Sequence, residues 1–224
     1  MKIDAALMPA TATDLYIIRH GETDWNRQAR MQGHADEPLN ALGREQAAQV
    51  AAALASYPLD AIYSSDLSRA FDTARAIAAH HPAVPLHSSA LWRERDYGRF
   101  QGMTLPEVEA INPHAAQQWR TRVVDFAPDG GENLLQFQAR IAQQLQAVAA
   151  KHAGEKIAIV CHGGVLDIIW RIVQGVAVDA PRAWALPNTG INHLRYAGQT
   201  WQVLDWGNTA HLLQAAVVRD ETIA

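Results

Sequence analysis

The chain has 224 residues, 49% of them hydrophobic, which is enough for one sizeable core and argues for a single domain. A formal net charge of −4 gives no global basic field, which excludes a nucleic-acid binder working by counterion release; any anion site has to be built locally. One cysteine, Cys161, excludes an internal disulfide and a cysteine-rich zinc site, and no apolar run reaches the roughly 18 residues of a membrane span, so the expectation is a soluble cytoplasmic protein with no membrane partner. Residues 1–13 carry no sustained apolar stretch and are expected to form a disordered leader, with 214–224 a C-terminal tail, around a domain over 14–213.

Leu15-Tyr16-Ile17-Ile18 reads as a buried strand that delivers Arg19, His20 and Gly21 into one turn, with Gly21 permitting a sharp exit. The polar stretch 24–40 is expected to be a loop over that strand end, and a helix follows from Ala41, its face marked by Ala47, Val50, Ala51 and Leu54. Ala61-Ile62-Tyr63 is a second strand, and Ser64, Ser65 and Asp66 can cap the next helix, which carries Arg69 in its first turn, off the apolar stripe.

From Leu86 to about Asp129 the periodicity is poor, and Pro106, Pro113 and Pro128 interrupt any long helix. This predicts an insertion over the sheet rather than part of it, with a lid at about 90–130. Glu132–His152 is again amphipathic, Ile157–Val160 is a continuous apolar strand, and Cys161-His162-Gly163-Gly164 turns it into a helix closed by Gly175. His193–Tyr196 and Gln202–Asp205 flank a short turn and read as a hairpin at the sheet edge. Strands alternating with helices predict an α/β fold, three-layer α/β/α with a mostly parallel sheet.

Two strand–turn–helix units each place a histidine before a glycine, and Arg19 and Arg69 fall at equivalent strand ends. If the strands are neighbours, these groups converge on one crevice suited to phosphate, which guanidinium groups grip in a bidentate way and glycine amides approach closely. A neutral imidazole can attack a phosphoryl group held there, giving a phosphohistidine, and the leaving alkoxide then needs an acid, for which Glu94 is the candidate. Cys161, ending an apolar strand, is expected to be buried and inert. The remaining histidines lack metal-ligand spacing, so no metal and no cofactor are expected; two arginines and two histidines already neutralise the phosphate.

The order of motifs resembles the histidine phosphatase superfamily, in its phosphoglycerate-mutase-like branch. Arg19-His20-Gly21-Glu22-Thr23 with Trp25-Asn26 is similar to the family signature, and Gln32-Gly33 with Pro38-Leu39-Asn40 to its following loop. Ser64–Ala70, Glu94 with Tyr97-Gly98, Gly130-Gly131-Glu132, Val160–Gly164 and Asn188-Thr189-Gly190 continue the pattern in order. The resemblance implies the histidine-phosphatase fold, with His20 as the phosphorylated nucleophile, Arg19, Arg69 and His162 holding the phosphoryl group, and Glu94 as acid then base. It also implies a substrate pocket lined by Thr23, Asn26, Gln32, Gly33, Arg95, Tyr97 and Gly163, taking a small-molecule phosphate monoester.

Within that family the alternatives are transfer to water, transfer to a second hydroxyl by a 2,3-bisphosphoglycerate-dependent mutase, or a catalytically silent phospholigand-binding module. A mutase needs extra cations around the far end of its substrate. Where mutases carry a lysine after the acid segment, this chain has Gln101-Gly102; Thr121 splits the expected arginine pair, and Gly164 replaces an asparagine. These departures favour a phosphomonoesterase. A binder would need the arginines but not the acid. The sequence carries no signal for an oligomeric state.

Overall fold

The computed structural model describes residues 11–212, so the predicted C-terminal tail and most of the predicted leader lie outside the described residues. Thr13, assigned from sequence to the leader, instead opens strand β1 (Thr13–Arg19), because its hydroxyl donates to the carbonyls of Ala149 and His152 (both 3.0 Å) and ties the strand's start to a helix end. The other strands are β2 (Ala61–Ser64), β3 (Leu86–Ser88), β4 (Lys156–Cys161), β5 (Ile191–Ala197) and β6 (Thr200–Asn208). They form one six-stranded sheet in the order β3-β2-β4-β1-β5-β6, with β1 to β4 mutually parallel and the predicted β5–β6 hairpin antiparallel at one edge.

Strand alternation divides the side chains between two layers. Leu15, Ile17, Ile157, Ile159 and Cys161 face helices α6 (Leu134–Lys151) and α7 (Gly163–Gln174), while Tyr16, Ile18, Ile62, Ala158 and Val160 face α2 (Ala41–Leu54) and α3 (Ser68–Ala78). Both faces being covered explains why the parallel strands read as continuous apolar runs. Each fully buried isoleucine in them contributes roughly 1.5–3 kcal/mol.

Further readings of the chain change as well. Leu86–Ser88, assigned to the insertion, is a sheet strand pairing with Ile62–Ser64; three residues are too few to show a period. The 24–40 stretch opens with a short helix, α1 (Asp24–Arg27). The serines before α3 do not cap it through Asp66; the amide of Ser68 donates to Asp36 Oδ1 (2.6 Å), and Asp66 instead holds Arg93 at 2.7 Å through both oxygens.

The insertion also contains helices α4 (Leu105–Ile111) and α5 (Pro113–Arg120). Pro106 and Pro113 stand in their first turns, where a missing amide costs nothing, so the prolines start these helices rather than break them. Their apolar faces make a third small core of Met31, Tyr97, Phe100, Val108, Ala116 and Trp119. Gly21 is required by close packing: a Cβ there would overlap the carbonyl of Gly43, and one on Gly43 would overlap that of Glu22, so the exit of β1 lies directly against the start of α2.

Candidate active site

Because β1 and β4 are adjacent and Arg19 pairs with Cys161, the two His-Gly turns emerge side by side at the strands' carboxyl ends, where open α/β sheets present their ligand crevices. The amide of His20 donates to the Cys161 carbonyl (2.9 Å), and the imidazoles of His20 and His162 lie 5.1 Å apart. His20 Nδ1 is 2.7 Å from the Gly21 carbonyl. A carbonyl can only accept, so a neutral His20 carries its proton on Nδ1 and keeps the lone pair on Nε2. Burial, followed by the charges of Arg69 and Arg19, holds both imidazoles well below the ordinary histidine pKa and keeps them neutral. Both ring nitrogens of His162 are buried without a hydrogen-bond partner among the described residues. Asn188 and Thr189 fix this strand end, through Asn188 Nδ2 to the His20 carbonyl (2.9 Å) and the Thr189 amide to the Arg19 carbonyl (3.0 Å).

Arg69 reaches the same crevice from α3, fully buried, with Nη1 donating to the Ala35 carbonyl and Nη2 to that of Gly33, both at 2.8 Å. Burial lowers its pKa to about 10, against the attraction of Glu94. Arg19 Nη1 donates to the Leu186 carbonyl at 2.6 Å. The loop that grips Arg69 is itself held by Gln101, whose Oε1 accepts from the amides of His34 (2.5 Å) and Ala35 (2.8 Å). Gln101 therefore supports the arginine's seat.

Of the remaining predicted residues, Asn26, Gln32, Gly33, Arg95, Tyr97 and Gly163 line the crevice, and Thr23 does not. Thr23 caps α1: its Oγ1 accepts from the Asn26 amide, and its own amide and hydroxyl donate to Asn26 Oδ1 (3.0 and 3.1 Å). This orients Asn26 with its NH₂ left to donate. Arg95 packs 4.8 Å over the Trp119 ring and donates to the carbonyls of Glu132 and Phe126, so its guanidinium ties the insertion together. Arg93 and Arg120 pair with Asp66 and Glu109 at the surface, outside the crevice. Residues of the wall that the sequence did not point out include Gln118, Asp167, Arg182 and Leu186, which come together only in the folded chain.

Glu94 is buried against the N-terminus of α7, with Oε2 accepting from the Gly164 amide (2.7 Å) and Oε1 from that of Arg95 (2.8 Å). Burial raises its pKa despite those two bonds and the nearby arginines. The absence of a side chain at Gly164 makes this seat: a Cβ there would overlap Glu94 Oε1. Gly164→Ala is therefore expected to displace the carboxyl and slow esters with poor leaving groups about 10-fold or more, with little effect on aryl phosphates. Steady-state rates on the two ester types check this, and equal slowing of both would show general damage instead. Cys161 is buried and its thiol pKa is pushed up, which removes it as a nucleophile. Among the described residues no group of three or more His, Cys, Asp or Glu side chains is placed to hold a metal, and no helix is long and apolar enough to cross a membrane.

An α/β sheet whose adjacent strand ends present two neutral imidazoles, two guanidinium groups and a carboxyl of raised pKa defines a site for phosphoryl chemistry. The chain belongs to the histidine phosphatase superfamily (branch 1), whose sequence profile it matches over residues 15–209. It is 36% identical to phosphoglycerate mutase-like protein 4 of Arabidopsis thaliana, over 89% of this chain and 86% of that one. It is also 36% identical to a metal-independent phosphoserine phosphatase of the same plant, over 89% and 83% of the two chains. Among solved structures, Bacillus stearothermophilus YhfR superposes with a TM-score of 0.82 at 31% identity, covering 89% of this chain and 98% of that one.

Proposed function

We propose that the protein is a phosphomonoesterase acting on a small phosphorylated metabolite through a phosphohistidine on His20. The observation that carries this reading is the pairing of an imidazole whose Nε2 lone pair is fixed by the Nδ1–Gly21 bond with a buried carboxyl whose pKa burial raises. Arg19, Arg69 and His162 hold the phosphoryl oxygens, and the Asn26 amide adds a donor. His20 Nε2 attacks phosphorus, the bond to the ester oxygen breaks, and Glu94 supplies the proton to that oxygen. The Glu94 carboxylate then takes a proton from water, whose oxygen attacks the phosphohistidine and releases orthophosphate and neutral His20.

Hydrolysis is favoured over mutase transfer because the cations near the far wall are already committed. Arg95 is held by two carbonyls and Trp119, Arg122 by Asp167 (2.9 Å) and the Val178 carbonyl (3.0 Å), and Gln101 faces the loop at 33–35. The names of relatives span both activities, and a metal-independent phosphoserine phosphatase among them supports hydrolysis. The test is to supply an aryl phosphate, a panel of phosphorylated metabolites, and 3-phosphoglycerate with 2,3-bisphosphoglycerate. Release of orthophosphate without 2-/3-phosphoglycerate interconversion is expected; interconversion dependent on the bisphosphate would make the protein a mutase, and neither reaction would leave a binding module.

A further inference from the structure

The crevice wall includes a carboxylate oxygen, on Asp167, that receives no hydrogen bond among the described residues. Asp167 lies on α7 one turn past Gly163, about 6 Å along the axis at the helical rise per residue. Its Oδ2 receives Arg122 Nη2 and Arg171 Nε, both at 2.9 Å. These two guanidinium groups fix the carboxylate plane from opposite elements, the insertion and α7 itself, and balance its charge. Oδ1 is buried and receives no hydrogen bond among the described residues, although the side chain is 9% exposed and lines the crevice. A carboxylate oxygen withdrawn from water and left without a donor is costly, and a group that donates to it recovers that cost.

Accepting the phosphomonoesterase reading, we propose that Asp167 is a specificity-determining residue whose Oδ1 accepts a hydrogen bond from a hydroxyl on the alcohol half of the substrate. The spacing of one helical turn from Gly163 puts that hydroxyl a few bonds from the ester oxygen, as on the carbon next to the phosphorylated one. A neutral hydroxyl suits the position better than an isolated ammonium. Asp167 is already balanced by Arg122 and Arg171, and Arg95 and Arg182 stand in the same wall or beside it. The favoured substrates are thus short aliphatic phosphomonoesters with a vicinal hydroxyl, rather than donor-free or aryl esters.

The test compares 2-hydroxyethyl phosphate with 2-fluoroethyl phosphate, which are close in size and differ in the donor. The wild-type protein is expected to favour the hydroxyl ester in kcat/KM by about 10- to 100-fold. Asp167→Asn, which turns the Oδ1 position into an N–H donor, is expected to bring the ratio to within about threefold of unity. The ratio is measured within one preparation, so a partly unfolded variant leaves it unchanged, whereas a residue acting only as a strut for Arg122 would slow both esters alike. A wild-type ratio near one overturns the proposal, and so does a ratio that persists in the variant. If neither ester is turned over, the aryl phosphate and the metabolite panel decide the phosphatase reading separately, and the same comparison is made on the two affinities by calorimetry, with a ratio near one again overturning the role of Asp167.

Discussion

His20→Ala is expected to lower phosphomonoester turnover by about 10⁴-fold or more while leaving affinity for orthophosphate within a few-fold of wild type. The split follows from the division of labour in the crevice. Arg19 and Arg69 are held by the carbonyls of Leu186, Ala35 and Gly33, none of which involves the His20 ring, so the guanidinium grip survives while the attacking lone pair is lost. His162 is the natural rival for the nucleophile, lying 5.1 Å away and equally buried. What separates them is the Gly21 carbonyl, which fixes the tautomer of His20; among the described residues neither ring nitrogen of His162 has such a partner. Rapid quench of the wild-type protein should trap acid-labile phosphate that His20→Ala lacks. A variant retaining more than about a hundredth of the activity would transfer the role to His162.

Glu94→Gln carries the second large effect, a loss of about 10²–10⁴-fold on alkyl phosphates and less than about tenfold on aryl phosphates, whose leaving groups depart without a proton. Its pH dependence has a definite sign. Burial raises the Glu94 pKa, so the acid form that serves the leaving group persists above the ordinary glutamate range and is lost as pH rises through the raised value. Burial and two arginines lower the His20 pKa, so the neutral nucleophile persists below the ordinary imidazole range and is lost only at lower pH. Alkyl phosphate hydrolysis should therefore fall on the alkaline side through Glu94, and the glutamine variant should lack that limb. An alkaline limb unchanged in Glu94→Gln would assign the proton to another group.

Much of this site is readable in the chain because strands β1 and β4 are buried on both faces and announce themselves as apolar runs, each ending in His-Gly. Their adjacency stays conditional in the sequence, since a parallel sheet admits several strand orders, and the pairing of Arg19 with Cys161 supplies it. Arg69 was legible as a residue off the apolar stripe of its helix, although nothing local shows that it is fully buried. Thr23 was misassigned to the pocket because the same residue type serves equally well as a helix cap, and the polar stretch around it hides a single helical turn. Asp167 and Arg122 were not paired in advance, since they sit 45 residues apart and meet only when the insertion folds onto α7. The departures from the mutase pattern at Gln101 and Gly164 read as mere absences in sequence, whereas in the fold one seats the Arg69 loop and the other seats Glu94.

The way Arg69 is gripped has a cost at the end of the cycle. Its hydrogen bonds run to main-chain carbonyls, which orient a guanidinium without cancelling its charge. The charge that draws a phosphate ester in also attracts orthophosphate once the alcohol has left, so the product competes for the same seat under the phosphatase reading. Orthophosphate is therefore expected to inhibit competitively and to raise the melting temperature, since a ligand that binds the folded form alone stabilises it; thermal unfolding with and without added orthophosphate checks this.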